Sequence, residues 1–264
     1  KQGGYCSPDE YKEYQMLLLI QLFDSEIGYK IGSIKVPCPT VADDMLLTAS
    51  SMSDLQSLLW ICEQYANRER YIIHPEKSVI TPFFLGKCLN DLVLDNQPWV
   101  INDNKVTVSE TFTHLGIQRS SKNLTSSIQP CVEARLSTSR LTIHALMGVG
   151  LTMSFILPPT VSLKIYNLYV LPRLTYGLLS INLRSIDIKT LEIQHRRFLY
   201  SILHLPSQSS VAGLHILTGI LPLEAILDIQ RLCYLHHLIT SKGTLQEIVI
   251  RQWAMKDSKS HSWV

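Results

Sequence analysis

The chain has 264 residues, of which 46% are hydrophobic and 17% are charged, so it can bury a core and is not an intrinsically disordered segment. Its formal net charge of +2 does not by itself indicate a nucleic-acid binder, and any such surface must come from local clusters of Arg and Lys. The six cysteines include no Cys-x-x-Cys pair, which argues against a zinc knuckle or a disulfide scaffold and favours a reducing, intracellular compartment, nuclear or cytoplasmic.

The beginning of the chain predicts one helix and then a short apolar hairpin. The helix covers 8–23, and its apolar residues are expected on one side: Met16, Leu19, Ile20 and Phe23. The apolar run within this helix is too short to cross a bilayer, so we expect no membrane partner. The hairpin covers 36–49, in which two apolar segments flank Asp43 and Asp44.

The next segment predicts the clearest helix of the first half. Ser53 can cap its N-terminus, and Gln56, three residues on, completes a capping box. Apolar residues then recur at helical spacing and predict a stripe that packs against a sheet: Leu55, Leu58, Leu59, Cys62, Tyr65 and Ala66.

A β-rich part follows, from Lys77 to Leu85 and again from Trp99 onward. Asp103–Asn104 is a favourable two-residue turn between the strands expected over 99–102 and 105–108, and a further strand is expected over 112–117. The pattern up to about residue 120 therefore predicts an α+β fold, in which helices back an antiparallel sheet.

Beyond residue 122 the pattern predicts helices alone. Ile128, Val132 and Leu136 share one face of a helix that Gly148 and Gly150 end. Three further helices are expected, of which the last begins after Pro222. The residues that mark these helices are Ile165, Leu168 and Tyr169 in the first, Leu191, Gln194 or His195, Phe198 and Ile202 in the second, and Leu223, Ile226, Leu227, Tyr234 and Leu238 in the third.

The change of pattern near residue 120 predicts a domain boundary. We expect 1–120 to form the α+β part and 121–255 to form an all-helical region. The polar residues 256–264 are expected to be a frayed tail.

The pair Asp43–Asp44 carries the most chemical information. A tight turn between two apolar strands presents both carboxylates at one end of a hairpin, and two adjacent anions need a compensating cation. Mg²⁺ suits such a site because it prefers carboxylate oxygens and remains open to phosphate oxygens. The alternative is a solvated turn, since Asp is favoured in turns for its local hydrogen bonds alone.

Four ordered motifs resemble those of a known family. They are Lys1-Gln2-Gly3-Gly4 with Ser7-Pro8, Val41-Ala42-Asp43-Asp44, Lys77-Ser78, and Thr113-His114-Leu115-Gly116-Ile117. In this order they resemble the palm of reverse transcriptases from non-LTR (LINE-type) retrotransposons. The resemblance implies a partial palm over 1–120, from the Gln-Gly-Gly segment onward, and a thumb-like or connection region over 121–255.

The resemblance implies catalytic roles for three residues. Asp43 and Asp44 would hold two Mg²⁺ ions, for which Mn²⁺ could substitute. Of the two acids, Asp43 would be the more central metal ligand. Lys77 would face the triphosphate, where a cation stabilises the leaving pyrophosphate. Without the resemblance, Lys77 reads as an ordinary surface lysine.

Other residues would position the nucleic acid in such an enzyme. Gln2, Gly3 and Gly4 would lie against the template and the incoming nucleotide, where glycine lets the backbone approach closely. Leu115 and Gly116 would lie on a strand that supports the primer end. The plainer alternatives are a terminal loop and an edge strand.

The implied reaction is the addition of deoxynucleotides to a DNA primer on an RNA template by two-magnesium phosphoryl transfer. The implied partners are the RNA template, the DNA primer and deoxynucleoside triphosphates, and Arg135 and Arg140 would contact the nucleic-acid backbone. The family's fingers and a third metal-binding Asp precede the Gln-Gly-Gly segment, so we expect this stretch of chain alone to be inactive.

The sequence departs from the family pattern at Val41, where Phe or Tyr is usual, and at His114, where Tyr is usual. Two alternatives therefore stay open. One is a non-catalytic retroelement relic with the same fold. The other is an unrelated helical interaction module, which predicts that Asp43 and Asp44 lie on an irregular surface loop.

Overall fold

A computed structural model describes residues 7–83, 99–102, 104–121, 124–151 and 157–254. Within them the fold is mixed α and β and mostly helical, so the predicted α+β class is confirmed. The described strands form separate two-stranded pairs, in place of the one antiparallel sheet that was predicted. The predicted tail 256–264 lies outside the described residues.

The elements are numbered in chain order. The α-helices are α1 Ser7–Asp24, α2 Met52–Glu69, α3 Leu124–Gly148, α4 Pro159–Ile165, α5 Leu171–Thr175, α6 Ser185–Leu203, α7 Val211–Thr218, α8 Leu223–Thr240 and α9 Thr244–Ala254. The strands are β1 Tyr29–Ile31, β2 Ile34–Val36, β3 Thr40–Val41, β4 Asp44–Met45, β5 Val79–Ile80, β6 Val100–Ile101, β7 Asn104–Lys105, β8 Thr107–Val108, β9 Thr111–His114 and β10 Ile117–Ser120. A π-helical segment, Tyr166–Val170, joins α4 to α5.

The described residues divide into two compact units. Unit 1 comprises those of Lys1–Gly116 together with those of Gly243–Met255, and unit 2 comprises those of Ile117–Lys242. All the strands up to β9 lie in unit 1, and helices α3 to α8 lie in unit 2. Helix α9 therefore follows the helical unit in sequence but is counted with unit 1.

The core of unit 1 is built where α1 packs on α2. Leu18 and Leu22 are fully buried against a cluster that includes Leu58. The side of α1 predicted to carry Met16, Leu19, Ile20 and Phe23 does not face this core, because Met16 and Phe23 are 57% and 52% exposed. This helix carries apolar side chains on nearly every side, so helical spacing alone does not define which stripe faces the core.

Helix α2 follows its predicted stripe but begins earlier than predicted. Its N-cap is Ser51, whose Oγ accepts a hydrogen bond from the backbone N–H of Asp54 at 3.1 Å, in place of the predicted Ser53. Two serines stand close together at this point and both are suitable caps, so the sequence does not distinguish them. The stripe itself is confirmed by the buried residues Leu58, Leu59, Cys62, Tyr65 and Ala66.

Small paired strands accompany these helices. The pairs β1–β2 and β6–β7 are antiparallel, whereas β5–β8 is parallel. A second cluster of buried residues joins these strands to α2, and it contains Leu59, Ile80, Trp99, Ile101 and Val106.

The turn between β6 and β7 differs from the predicted Asp103–Asn104 turn. Ile101 pairs with Asn104, so Asn104 already belongs to a strand and Asn102 begins the turn. Asn102 adopts φ 50°, a left-handed conformation that Asn tolerates better than most residues, and its N–H donates to Glu63 Oε1 of α2 at 2.8 Å. This bond to α2 explains a register that local turn preferences do not specify.

Unit 2 is a helical assembly around two clusters of buried side chains. The predicted face of α3 is confirmed, because Ile128, Val132 and Leu136 are all buried, and α3 ends at Gly148 as predicted. No strand follows Ser121 in the described part of the chain. The first cluster includes Leu136, Leu174, Leu191 and Leu227, and the second includes Ile143, Tyr166, Phe198 and Leu214.

The buried face of the helix that contains the π-helical segment differs from the apolar residues named for it. Leu168 and Tyr169 are 71% and 52% exposed, whereas Tyr166 and Val170 are fully buried. The buried residues Leu163, Tyr166, Val170 and Leu174 recur at helical spacing, so a neighbouring apolar stripe faces the core. Pro172, which has no N–H to donate four residues back, lies two residues after the π-helical segment and favours its wider turn.

The end of the described chain contains two helices that were not predicted, α7 and α9. Helix α8 begins after Pro222 as predicted, and Leu223, Leu227 and Leu238 are buried, but Tyr234 is 43% exposed. No single helix in the described part of the chain has both the length and the hydropathy of a bilayer-spanning segment, and α7 and α8 have them only when taken together across a 54° bend.

Candidate functional site

The Asp43–Asp44 pair lies at the tip of a β-hairpin in unit 1 whose turn has two residues. Strands β3 and β4 pair antiparallel, with Val41 opposite Asp44 and Thr40 opposite Met45. Asp43 is therefore the second turn residue, after Ala42, and Asp44 is the first residue of β4. Because directly opposite residues share a face of the ladder, Asp44 and Val41 lie on the same face.

Backbone hydrogen bonds extend this hairpin away from its tip. The N–H of Leu46 donates to the carbonyl of Pro39 at 2.9 Å, and that of Thr48 donates to the carbonyl of Pro37 at 2.9 Å. The N–H of Tyr29, in β1, donates to the carbonyl of Thr48 at 3.0 Å. Proline has no N–H but accepts normally, so Pro37 and Pro39 are compatible with these positions.

The base of the hairpin packs on the helices while the tip remains in solvent. Cys38, Met45 and Leu47 lie against the buried cluster that α1 and α2 form. The tip residues from Val41 to Asp44 are all exposed. The α1–α2 core thus fixes the hairpin and leaves its two carboxylates accessible.

The turn is held in a conformation that its residues do not favour. Ala42 adopts φ 53°, in the left-handed region that costs an L-residue with a Cβ about 1–2 kcal/mol. A positive φ at the first position is what a two-residue hairpin loop requires, and glycine is the usual residue there. Backbone strain of this kind often occurs at functional sites.

The charge of Asp43 acts on the first turns of α1. The pKa of the Tyr11 hydroxyl is raised, first by its partial burial and then by the negative charge of Asp43. The first turn of α1 itself carries Asp9 and Glu10, and Asp9 pairs with Lys12 at 3.1 Å. The tip itself carries two adjacent carboxylates, which favours a cation there over a bare phosphate.

The two carboxylates are suited to hold a divalent cation together with other ligands. Both side chains are exposed, and neither forms an ion pair with another described residue. Mg²⁺ usually keeps several waters and is held by one or two carboxylates plus substrate phosphates. No group of three or more His, Cys, Asp or Glu side chains that could hold a metal is found among the described residues. This hairpin thus supplies at most two protein ligands.

The other residues predicted for the palm site are placed as follows. Lys77 is exposed at the end of the short 3₁₀-helix Pro75–Lys77, ahead of β5. No hydrogen bond or ion pair joins Lys77 to Asp43 or Asp44 within the described ranges. The residues Gln2, Gly3 and Gly4 lie outside the described residues.

The strand predicted over 112–117 is interrupted. Strand β9 ends at His114 and β10 begins at Ile117, and the two residues between them, Leu115 and Gly116, form a turn with φ 51° and 70°. The sequence predicts one strand over this stretch, but Gly116 is a residue typical of turns and ends the first strand. Leu115 and Gly116 therefore lie at a turn and not within a strand. The Leu115 side chain is 37% exposed.

The two arginines predicted to contact nucleic acid lie on α3 in unit 2. The Arg135 guanidinium lies 5.2 Å from the centroid of the Tyr176 ring. Arg140 Nε donates to Gln194 Oε1 at 2.9 Å. They are five positions apart along α3, which places them about 140° apart around the helix. They therefore do not form one continuous basic stripe.

A buried polar network in unit 2 was not predicted from the sequence. His195 is fully buried, its Nε2 lies 3.2 Å from the Leu221 carbonyl, and its Nδ1 lies 2.6 Å from the Tyr166 hydroxyl. A carbonyl can only accept, so Nε2 carries the proton and Nδ1 accepts from Tyr166. Burial lowers the pKa of His195 to about 4, and the charges of its neighbours add to this effect.

The network continues through His215 and Glu192. The His215 ring stacks on that of His195 with centroids 6.1 Å apart, and its Nε2 lies 3.8 Å from Glu192 Oε1. Glu192 Oε2 accepts the backbone N–H of Leu223 at 2.6 Å, at the start of α8. Residues that are 20 or more positions apart along the chain meet here, so no local pattern could have predicted the cluster.

Comparison with known proteins adds no relative. No protein-family model matches the chain, and no curated protein matches it either.

Proposed function

We propose that this chain is part of the RNA-directed DNA polymerase of a non-LTR (LINE-type) retrotransposon, with palm residues in unit 1 and thumb-like residues in unit 2. The observation that carries the proposal is the exposed β3–β4 turn, which presents Asp43 and Asp44 together. A pair of accessible carboxylates on a tight hairpin is the arrangement that the four ordered motifs lead us to expect. The proposal extends to the partners: an RNA template, a DNA primer and deoxynucleoside triphosphates.

The residues would act as follows. Asp43 and Asp44 would hold metal, which when bound activates the attacking 3′-hydroxyl and neutralises the leaving pyrophosphate. Lys77, exposed and without an ion pair among the described residues, would approach the triphosphate. Val41, which shares a face with Asp44 and is 53% exposed, would lie beside the primer end.

The hairpin also favours this function over one alternative. An unrelated helical interaction module predicts that the acids lie on an irregular loop, whereas Asp43 lies in the tight turn and Asp44 on a strand of a hairpin anchored to a helical core. The other alternative, a non-catalytic relic with the same fold, draws its support from Asp9 and Glu10 in the first turn of α1, directly after Ser7-Pro8. Acidic residues there would repel a nucleic-acid backbone.

Primer extension separates the enzyme from the relic. The chain is fused behind the palm and finger segments that precede the Gln-Gly-Gly motif in this family, and incorporation of deoxynucleotides on an RNA template is measured with Mg²⁺. We expect Asp43→Ala to lower the rate about 1,000-fold, because a metal ligand contributes several kcal/mol to transition-state stabilisation. Asp24→Ala, which removes an exposed acid at the end of α1, is the matched control. Equal rates for Asp43→Ala and the unmodified fusion would refute the catalytic assignment.

A further inference from the structure

A shallow cleft on unit 2 combines two arginines with two tyrosines. Helix α3 contributes one side, and the π-helical segment and α5 contribute the other. None of the described residues that line it is acidic. The residues that line it are Arg135, Leu168, Tyr169, Pro172, Arg173 and Tyr176.

The two rings of this cleft, which we call the Arg–Tyr cleft, are accessible to a ligand. Tyr169 and Tyr176 are 52% and 49% exposed. Tyr169 comes from the π-helical segment, Arg173 from α5 and Tyr176 from the residue after α5, and all three line the cleft. Aromatic rings half in solvent are costly to leave uncovered and are suited to stack on planar groups.

Cations accompany each ring. The Arg135 guanidinium lies 5.2 Å from the Tyr176 ring centroid, and Arg173 Nη1 donates to the Tyr169 carbonyl at 3.0 Å. Guanidinium groups carry five N–H donors, so Arg173 keeps others for a ligand.

The π-helical segment contributes Leu168 and Tyr169 to this cleft. Tyr166 and Val170, four positions apart, are fully buried, whereas Leu168 and Tyr169 between them are exposed. Single π turns inside α-helices occur frequently at functional sites. The exposed side of the segment therefore faces the cleft while its other side packs in the core.

We propose that the Arg–Tyr cleft binds single-stranded nucleic acid, with bases stacked on Tyr169 and Tyr176 and phosphates held by Arg135 and Arg173. An electropositive groove interleaved with exposed aromatic rings is the arrangement that binds single strands with little sequence preference. The inference rests on the proposed function for the choice of nucleic acid over a small aromatic anion. It adds to that function a stacking site for unpaired bases in unit 2, separate from the Asp43 hairpin in unit 1.

Binding of labelled oligonucleotides to the whole chain tests this proposal. Fluorescence anisotropy is measured with a uridine oligomer and a thymidine oligomer of about ten nucleotides, within the usual site size for such surfaces. A third oligomer has the same backbone and no bases. The two base-containing probes distinguish RNA from DNA, and the abasic probe separates stacking from phosphate contacts.

Exposed residues provide variants that should leave the fold intact. We expect Tyr169→Ala to weaken binding of the base-containing oligomers by about fivefold or more and to leave binding of the abasic oligomer unchanged. Arg173→Gln should weaken binding of all three and reduce the salt dependence by about one phosphate contact. The matched controls are Tyr234→Ala, 43% exposed on α8, and Lys189→Gln, exposed on α6, and neither should change binding.

Any one of three results would overturn the proposal. The first is that neither base-containing oligomer binds. The second is that the abasic oligomer binds as tightly as the others, and the third is that the Tyr169→Ala variant binds as tightly as the wild type. Failure of the polymerase proposal gives a different result. In that case Asp43 has no metal-dependent role, yet Tyr169→Ala still weakens oligonucleotide binding.

Discussion

Buried His195 should make the stability of unit 2 depend on pH. Its pKa is lowered from 6.5 to about 4, chiefly because burial penalises the imidazolium. Between these two values the unfolded chain binds a proton that the native state does not bind. The contribution of neutral His195 to the free energy of unfolding is therefore fully present above about pH 6.5, and it is lost as the pH falls toward 4. A shift of this size corresponds to about 3 kcal/mol in the free energy of unfolding, at 1.36 kcal/mol per pKa unit.

Replacement of His195 by Gln removes the titrating group while its amide N–H₂ can still donate to the Leu221 carbonyl. Urea unfolding followed by far-UV circular dichroism, at several values from about pH 7 to about pH 4.5, measures the stability of both proteins. We expect the wild type to lose about 2–3 kcal/mol more than His195→Gln over this range. His236→Gln, which removes an exposed histidine of α8, should retain the wild-type pH dependence.

Two observations would refute this reasoning. If His195→Gln and the wild type lose stability in parallel as the pH falls, the buried imidazole does not carry the effect. If NMR titration of the His195 ring protons gives a pKa near 6.5, the ring is solvated and the hydrogen bonds to Tyr166 and Leu221 do not describe its environment.

Three further changes test the packing and the hairpin. Ala42→Gly should stabilise the chain by about 0.5–1 kcal/mol, because glycine accepts φ 53° without a clash. The gain is measured as a higher melting temperature, and an unchanged or lower melting temperature would show that the turn is relaxed. Glu192→Ala should lower the free energy of unfolding in urea by about 1.5–3 kcal/mol, because it removes the charged acceptor of the Leu223 N–H. A loss below about 0.5 kcal/mol would contradict that contact. Leu22→Ala should cost about 2–5 kcal/mol and Met16→Ala less than about 0.5 kcal/mol, and equal costs would place the wrong face of α1 in the core.

The sequence predicted best those elements whose apolar residues form a single stripe. Helix α2 and helix α3 each have one such stripe, and the residues predicted to be buried are buried. Helix α1 is apolar on almost every side, so its buried face depends on where α2 and the hairpin lie, which spacing does not show. In the helix that contains the π turn, the buried stripe runs through Leu163, Tyr166, Val170 and Leu174, and helical spacing alone does not distinguish it from the neighbouring apolar residues Leu168 and Tyr169.

The candidate site was predictable as a local turn but not as a constellation. The Asp43–Asp44 hairpin follows from two apolar segments around a polar turn, and it is present. The break at Leu115–Gly116 was missed although Gly116 is a residue typical of turns. The network from Tyr166 through His195 to Glu192, and the pairing of Arg135 with Tyr176, join residues far apart in the chain, so only packing brings them together.

The most direct test of the central claim is paramagnetic broadening by Mn²⁺ of the backbone amide signals of this chain. Mn²⁺ replaces Mg²⁺ at oxygen sites, and it broadens signals close to the ion most strongly. We expect the signals of Val41, Ala42 and Asp44 to broaden first, and more so when a deoxynucleoside triphosphate adds its phosphate ligands, and we expect Asp43→Asn to abolish the effect. Hairpin signals that stay sharp, or that broaden equally in Asp43→Asn, would contradict the claim that this turn holds a divalent cation.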